Sequence, residues 1–212
     1  MALDINDFSQ LAKGACGRVT IGVDEAGRGP LAGPVVAAAV VLCKPRPAGL
    51  DDSKKLRPAR RAELEAAIKR RCRWAVGVVE VDDIDRLNIF GATMLAMTLA
   101  VAALCEQLGE LDCREVLVDG NLTPHGRVAR WCWPARAIVG GDALEPCISA
   151  ASIIAKEHRD RLMRGYAAAH PQYGWELNMG YGTAAHMAAL GQHGPSPLHR
   201  RSFAPVRQLL LL

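Results

Sequence analysis

The chain has 212 residues, half of them hydrophobic, enough to bury one sizeable core with room for a small subdomain. Its formal net charge of +4 is only mildly basic, so bulk charge alone is a weak pointer to a polyanionic partner. Met1 to Gln10 contains acids and no apolar h-region, so no secretory signal is expected there. The seven cysteines contain no C-x-x-C pair, which fits free thiols in a reducing, cytoplasmic setting.

Residues 1–17 read as a leader segment. A first strand spans Arg18 to Asp24, and an apolar run from Val35 to Leu42 predicts a second. Glycines 27, 29 and 33 and prolines 30 and 34 mark the connection between them. Pro58 suits a first helical position, and Leu64, Ile68 and Cys72 recur every four residues, so a helix over Pro58–Arg71 is expected. Nine Lys/Arg between Lys54 and Arg73, against Glu63 and Glu65, give that helix a basic solvated face.

A third strand is expected over Trp74 to Val81, then a long helix over Leu87 to Leu108. That segment is uncharged as far as Cys105 and mimics a membrane span, but its alanine-rich composition fits a buried central helix better, and no membrane association is expected. Strands follow at Glu115–Val118 and Ala135–Val139, each ending in an acid or glycine turn. Pro146 opens a helix reaching about His170, with further helical pieces at Thr183–Gln192 and Arg207–Leu212. Strands alternating with helices indicate an α/β domain, and the consecutive early strands argue for a mixed sheet.

Four carboxylates, Asp24, Glu25, Asp119 and Asp142, sit where an apolar strand gives way to glycine or a turn. That edge of an α/β sheet is where ligands bind. Adjacent carboxylates repel, and oxygen donors without His or Cys at metal spacing select Mg²⁺ or Mn²⁺ over Zn²⁺. Two such ions can hydrolyse a phosphodiester, one activating water and the other stabilising the leaving 3′-oxygen. Taken singly, Asp119 also reads as a turn residue and Asp142 as a favourable acid at a helix start.

The segments Gly22–Pro30, Asp52–Leu56, Leu87–Ile89, Val118–Asn121, Gly141–Asp142, Ser149–Lys156, Arg159–Asp160, Gly180–Thr183 and Arg200–Phe203 occur in order almost end to end. In these the chain resembles the bacterial ribonuclease HII family. The resemblance implies a ribonuclease H-like fold, a five-stranded mixed sheet flanked by helices, with the catalytic domain over residues 18–160 and a helical C-terminal extension over 161–212. It implies that Asp24, Glu25, Asp119 and Asp142 hold two divalent ions, Mg²⁺ or Mn²⁺, and are catalytic. It also implies that Gly27, Arg28, Gly29 and Tyr181 recognise the ribose at an RNA-to-DNA junction, where the 2′-hydroxyl distinguishes RNA from DNA. Ser53, Lys54 and Lys55 resemble phosphate contacts at a helix entry, with Asn88 facing the nucleic acid. Where many family members carry Lys before the Gly-Tyr-Gly-Thr segment, this chain has Met179.

The activity the resemblance implies is therefore that of a monomeric endoribonuclease whose substrates are RNA/DNA hybrids and duplex DNA with single embedded ribonucleotides, cut on the 5′ side to leave 5′-phosphate and 3′-hydroxyl ends. Two alternatives stay open at this point: a ribonuclease H-like nuclease of the resolvase type, and a catalytically silent hybrid-binding protein.

Overall fold

The computed structural model describes residues 18–109 and 112–210; the expected leader, residues 1–17, lies outside them. Five strands, β1 (Arg18–Ala26), β2 (Val35–Val41), β3 (Arg73–Val79), β4 (Asp112–Asp119) and β5 (Ala135–Ile138), form one sheet in the order β3-β2-β1-β4-β5. The early strands pair antiparallel, while β1/β4 and β4/β5 are parallel, so the sheet is mixed as expected. Strand β3 stops at Val79, earlier than the apolar run implied, because Val81 already begins a helix.

Alternation along the strands sends side chains to opposite faces. Ile21, Val23, Val35, Ala37 and Ala39 meet the long helix α2 (Val81–Leu108) on one face. Ala38 and Val40 meet α1 (Pro58–Arg71) and α4 (Pro146–Ala169) on the other, with α3 (Gly141–Leu144) just before α4. Contact with the sheet is close. A Cβ on Gly22 would lie 2.2 Å from the Cys147 backbone of α4, and one on Gly77 would lie 2.2 Å from the Ala96 carbonyl of α2.

Helix α2 is apolar and long enough to cross a membrane, yet Ala92, Ala96, Ala100, Met97 and Leu104 are buried in the core, which makes it the domain's central helix. It also starts six residues before the expected Leu87 and breaks at Asn88 (φ 59°, ψ 168°), whose Oδ1 accepts from the Phe90 and Gly91 N–H groups at 2.9 and 3.1 Å. Asn88 thus caps the second half of α2.

The basic face of α1 is only partly solvated. Arg61 is buried and donates from Nε to Glu157 Oε1 at 2.6 Å, and Glu65 accepts from Arg161. The six cysteines among the described residues are free thiols; burial pushes Cys72 up to about 12 and Cys147 up to about 11, which leaves both unreactive near neutrality.

A third cluster unites Leu31 and Ala32 with Met163, Ala167, Tyr173, Trp175, Leu190 and Val206. It is built on the far end of α4, α5 (Trp175–Asn178), α6 (Ala184–His193) and α7 (Ala204–Leu209). The boundary expected at residue 160 falls inside the unbroken helix α4. Thr183 caps α6, accepting from the His186 N–H at 3.2 Å.

Candidate active site

The central strands β1 and β4 run parallel with Val23 opposite Val118, so the next residue of each, Asp24 and Asp119, emerges at the same rim. Asp142 reaches that rim from α3. Asp119 Oδ1 accepts from the Gly141 N–H at 2.7 Å and from the Asp142 N–H at 3.4 Å, which seats the α3 turn beside β4. One carboxylate oxygen from each of Asp24, Asp119 and Asp142 lies within 4.8 Å of the others. Asp24 lies 95 residues before Asp119 in the chain, and the parallel pairing of β1 with β4 brings these two together, while α3 adds Asp142.

Glu25 stands outside this group of three. Its Oε1 accepts from Arg28 Nη1 at 3.3 Å, and it lines the adjoining cavity. Burial, then the charges of Glu25 and Asp119, hold Asp24 well above the usual carboxylate range. Burial, then Asp119 and Asp52, raise Asp142, against the pull of Lys54. Glu25 is also raised, chiefly by burial, with Arg28 opposing. Such crowding of partly desolvated acids is relieved by a hard cation, and an all-carboxylate donor set suits Mg²⁺ or Mn²⁺.

Beside the acids is a cavity of about 220 Å³ lined by Gly27, Arg28, Gly29, Ser53, Lys54 and Tyr181 among others. Gly27 adopts φ +97°, and a Cβ there would strike Arg159 Nε at 2.1 Å, so both backbone and space demand glycine. The Tyr181 ring is 46% exposed and borders Gly29, where a Cβ would sit 3.6 Å from Cε1. Ser53 is buried, its Oγ 2.7 Å from Ser152 Oγ, and Ser152 in turn hydrogen-bonds Asp24. Burial lowers Lys54, but Asp24, Asp52, Asp142 and Asp119 together leave it above its usual value.

Ser53, Lys54 and Lys55 form a turn that leads into α1, which opens at Pro58. Lys55 is exposed, pairs with Asp51 at 3.9 Å and does not line the cavity. Asn88 is also absent from that lining. Met179 packs against the third hydrophobic cluster. Sequence reasoning attached no role to Ser152 or Arg200; a serine in an alanine-rich helix and an arginine in a basic pair give no outward sign of burial.

The Ribonuclease HII family model matches residues 21–206. The chain is 84% identical over 195 residues to Ribonuclease HII of Novosphingobium aromaticivorans, covering 92% of this chain and all of that one. The chain belongs to the ribonuclease HII family. It is 65% identical over 187 residues to Ribonuclease HII of Erythrobacter litoralis, covering 88% of each chain. Among solved structures, it is similar to the PCNA:RNase HII complex from Archaeoglobus fulgidus, with TM-score 0.67, 25% identity and coverage of 86% of this chain and 93% of that one. The ribonuclease H2 of Pyrococcus horikoshii shares the fold at TM-score 0.69 and 24% identity, over 90% of this chain and 96% of that one. As a ribonuclease HII family member the protein is an enzyme, a ribonuclease H.

Proposed function

We propose that the protein is a divalent-cation-dependent endonuclease that cuts the RNA strand of RNA/DNA hybrids. We propose further that it incises duplex DNA on the 5′ side of a single embedded ribonucleotide, leaving 5′-phosphate and 3′-hydroxyl ends. The observation that carries this reading is the convergence of Asp24, Asp119 and Asp142 beside the Gly27–Gly29 turn and the Tyr181 ring.

Asp24, Asp119 and Asp142 would hold the cations, with Glu25 adjoining them. When bound, two divalent ions supply activation of the attacking water and charge stabilisation on the leaving 3′-oxygen. The residues of the chain do the rest. Lys54, drawn toward the acids, offers a positive charge to a scissile phosphate. The glycine turn lets backbone groups approach a 2′-hydroxyl, which both donates and accepts. The Tyr181 ring offers a flat face to the following deoxyribose. Every group used lies on one chain, which supports action as a monomer, and the free thiols fit a cytoplasmic location.

The test is incubation with Mg²⁺ or Mn²⁺ and a DNA duplex holding one ribonucleotide, beside all-DNA and all-hybrid duplexes. Asp24→Asn removes one of the clustered carboxylates and should cut at least about a hundredfold slower while still binding the duplex. Equal cutting of all-DNA duplex would favour a resolvase-type nuclease. Binding without cation-dependent cutting would favour a silent hybrid-binding protein.

A further inference from the structure

Two guanidiniums behind the Gly27–Gly29 turn have no task in this reading. Arg200 and Arg159 are 0% and 1% exposed, and neither forms an ion pair with a carboxylate among the described residues. Burying a guanidinium is costly unless its donors are met. Arg200 meets all five with backbone carbonyls. Nε donates to Gly33 O at 2.9 Å, Nη1 to Arg28 O at 3.0 Å and Pro30 O at 2.8 Å, and Nη2 to Gly27 O at 2.6 Å and Pro34 O at 3.2 Å. Arg159 donates at 3.0 Å to each of Pro34 O, Ala32 O and Met179 O.

The consequence follows from peptide planarity. The carbonyl of one residue and the N–H of the next share a trans plane and point in opposite directions. With the Gly27 and Arg28 carbonyls drawn onto Arg200, the Arg28 and Gly29 N–H groups are turned away from it. Neither N–H has an acceptor among the described residues, and both residues line the cavity. The same arginine reaches the other half of the cavity through its backbone. Its N–H donates to Leu31 O at 2.8 Å, and the Leu31 N–H donates to Gly180 O at 2.8 Å, one residue before Tyr181.

We propose that Arg200 is a positioning residue for ribose recognition: it gathers the turn's carbonyls so that the Arg28 and Gly29 N–H groups face the substrate's 2′-hydroxyl, in register with Tyr181. The proposal rests on the ribonucleotide-directed reading above. Lysine cannot replace this residue, since a three-donor ammonium does not span five carbonyls.

The experiment compares wild type and Arg200→Lys on two duplexes that differ only at one 2′ position, ribonucleotide against 2′-fluoro, whose fluorine is a much poorer acceptor for the two N–H groups. It also measures affinity for all-DNA duplex without metal. Arg200→Lys should lower the ribonucleotide-over-fluoro ratio of kcat/KM about tenfold, the size of a lost oriented hydrogen bond, with all-DNA affinity within about twofold of wild type. Equal discrimination by wild type and variant, or a loss shared equally by all substrates, overturns the role of Arg200 alone. A wild type that cuts no ribonucleotide duplex overturns the functional reading and this inference with it. A second measurement needs no variant and covers a failure of Arg200→Lys to fold. In ¹⁵N-labelled wild type, the Arg28 and Gly29 amides should shift on adding the ribonucleotide duplex and not on adding the all-DNA duplex; equal response to both overturns the proposal.

Discussion

Each residue of the site works through what its neighbours leave it free to do. Tyr181 keeps nearly half its surface open while its carbonyl is held at 2.9 Å from His186 Nδ1, so the ring is presented by a fixed backbone. Tyr181→Ala should therefore lose cutting at an RNA-to-DNA junction by about ten- to a hundredfold and lose far less duplex affinity, which phosphate contacts dominate. Parallel kcat/KM and binding titrations would show this, and equal losses in both would remove the role. The acids at strand ends were legible because an apolar run that stops at a carboxylate leaves few bland explanations. Arg200 was not legible. Arginine on its own reads as a surface or phosphate-binding residue, and only the folded turn assembles five carbonyls around it.

At the level of elements, periodicity located the strands and long helices, because burial on one face leaves a mark in residue order. It missed the break at Asn88, since the surrounding apolar run carries no proline and the capping bonds are local geometry. Asn88→Ala should lower stability by about 1–2 kcal/mol, from the lost cap and from an alanine held at positive φ. Thermal unfolding would show it as a lower Tm, and an unchanged Tm would mean the cap is idle. The four-residue helices α3 and α5 were also unannounced, being too short for a periodic signal. Yet α3 delivers Asp142, so a minor element decides whether the third carboxylate arrives.

Across the molecule, the mixed character of the sheet follows from apolar runs and consecutive early strands that sequence displays, whereas the strand order emerges only in the fold, and the C-terminal packing depends on buried polar groups that sequence conceals. His186 and His199 are fully buried, their Nε2 atoms 3.1 Å apart. Burial, then the charge of His186, depresses His199 to about 4. Its folded form therefore takes a proton less readily than the unfolded chain, whose histidines titrate near 6.5. Stability should be full above about pH 6.5 and fall as pH drops toward 4, by up to about 3 kcal/mol. Denaturant titrations at pH 7 and pH 5 would read this, and His199→Gln should flatten the slope. Finally, the separation of 173 positions between Gly27 and the arginine that fastens it bears on biosynthesis. That contact cannot form until position 200 has emerged from the ribosome, so the turn beside the acids is fastened only near the end of translation.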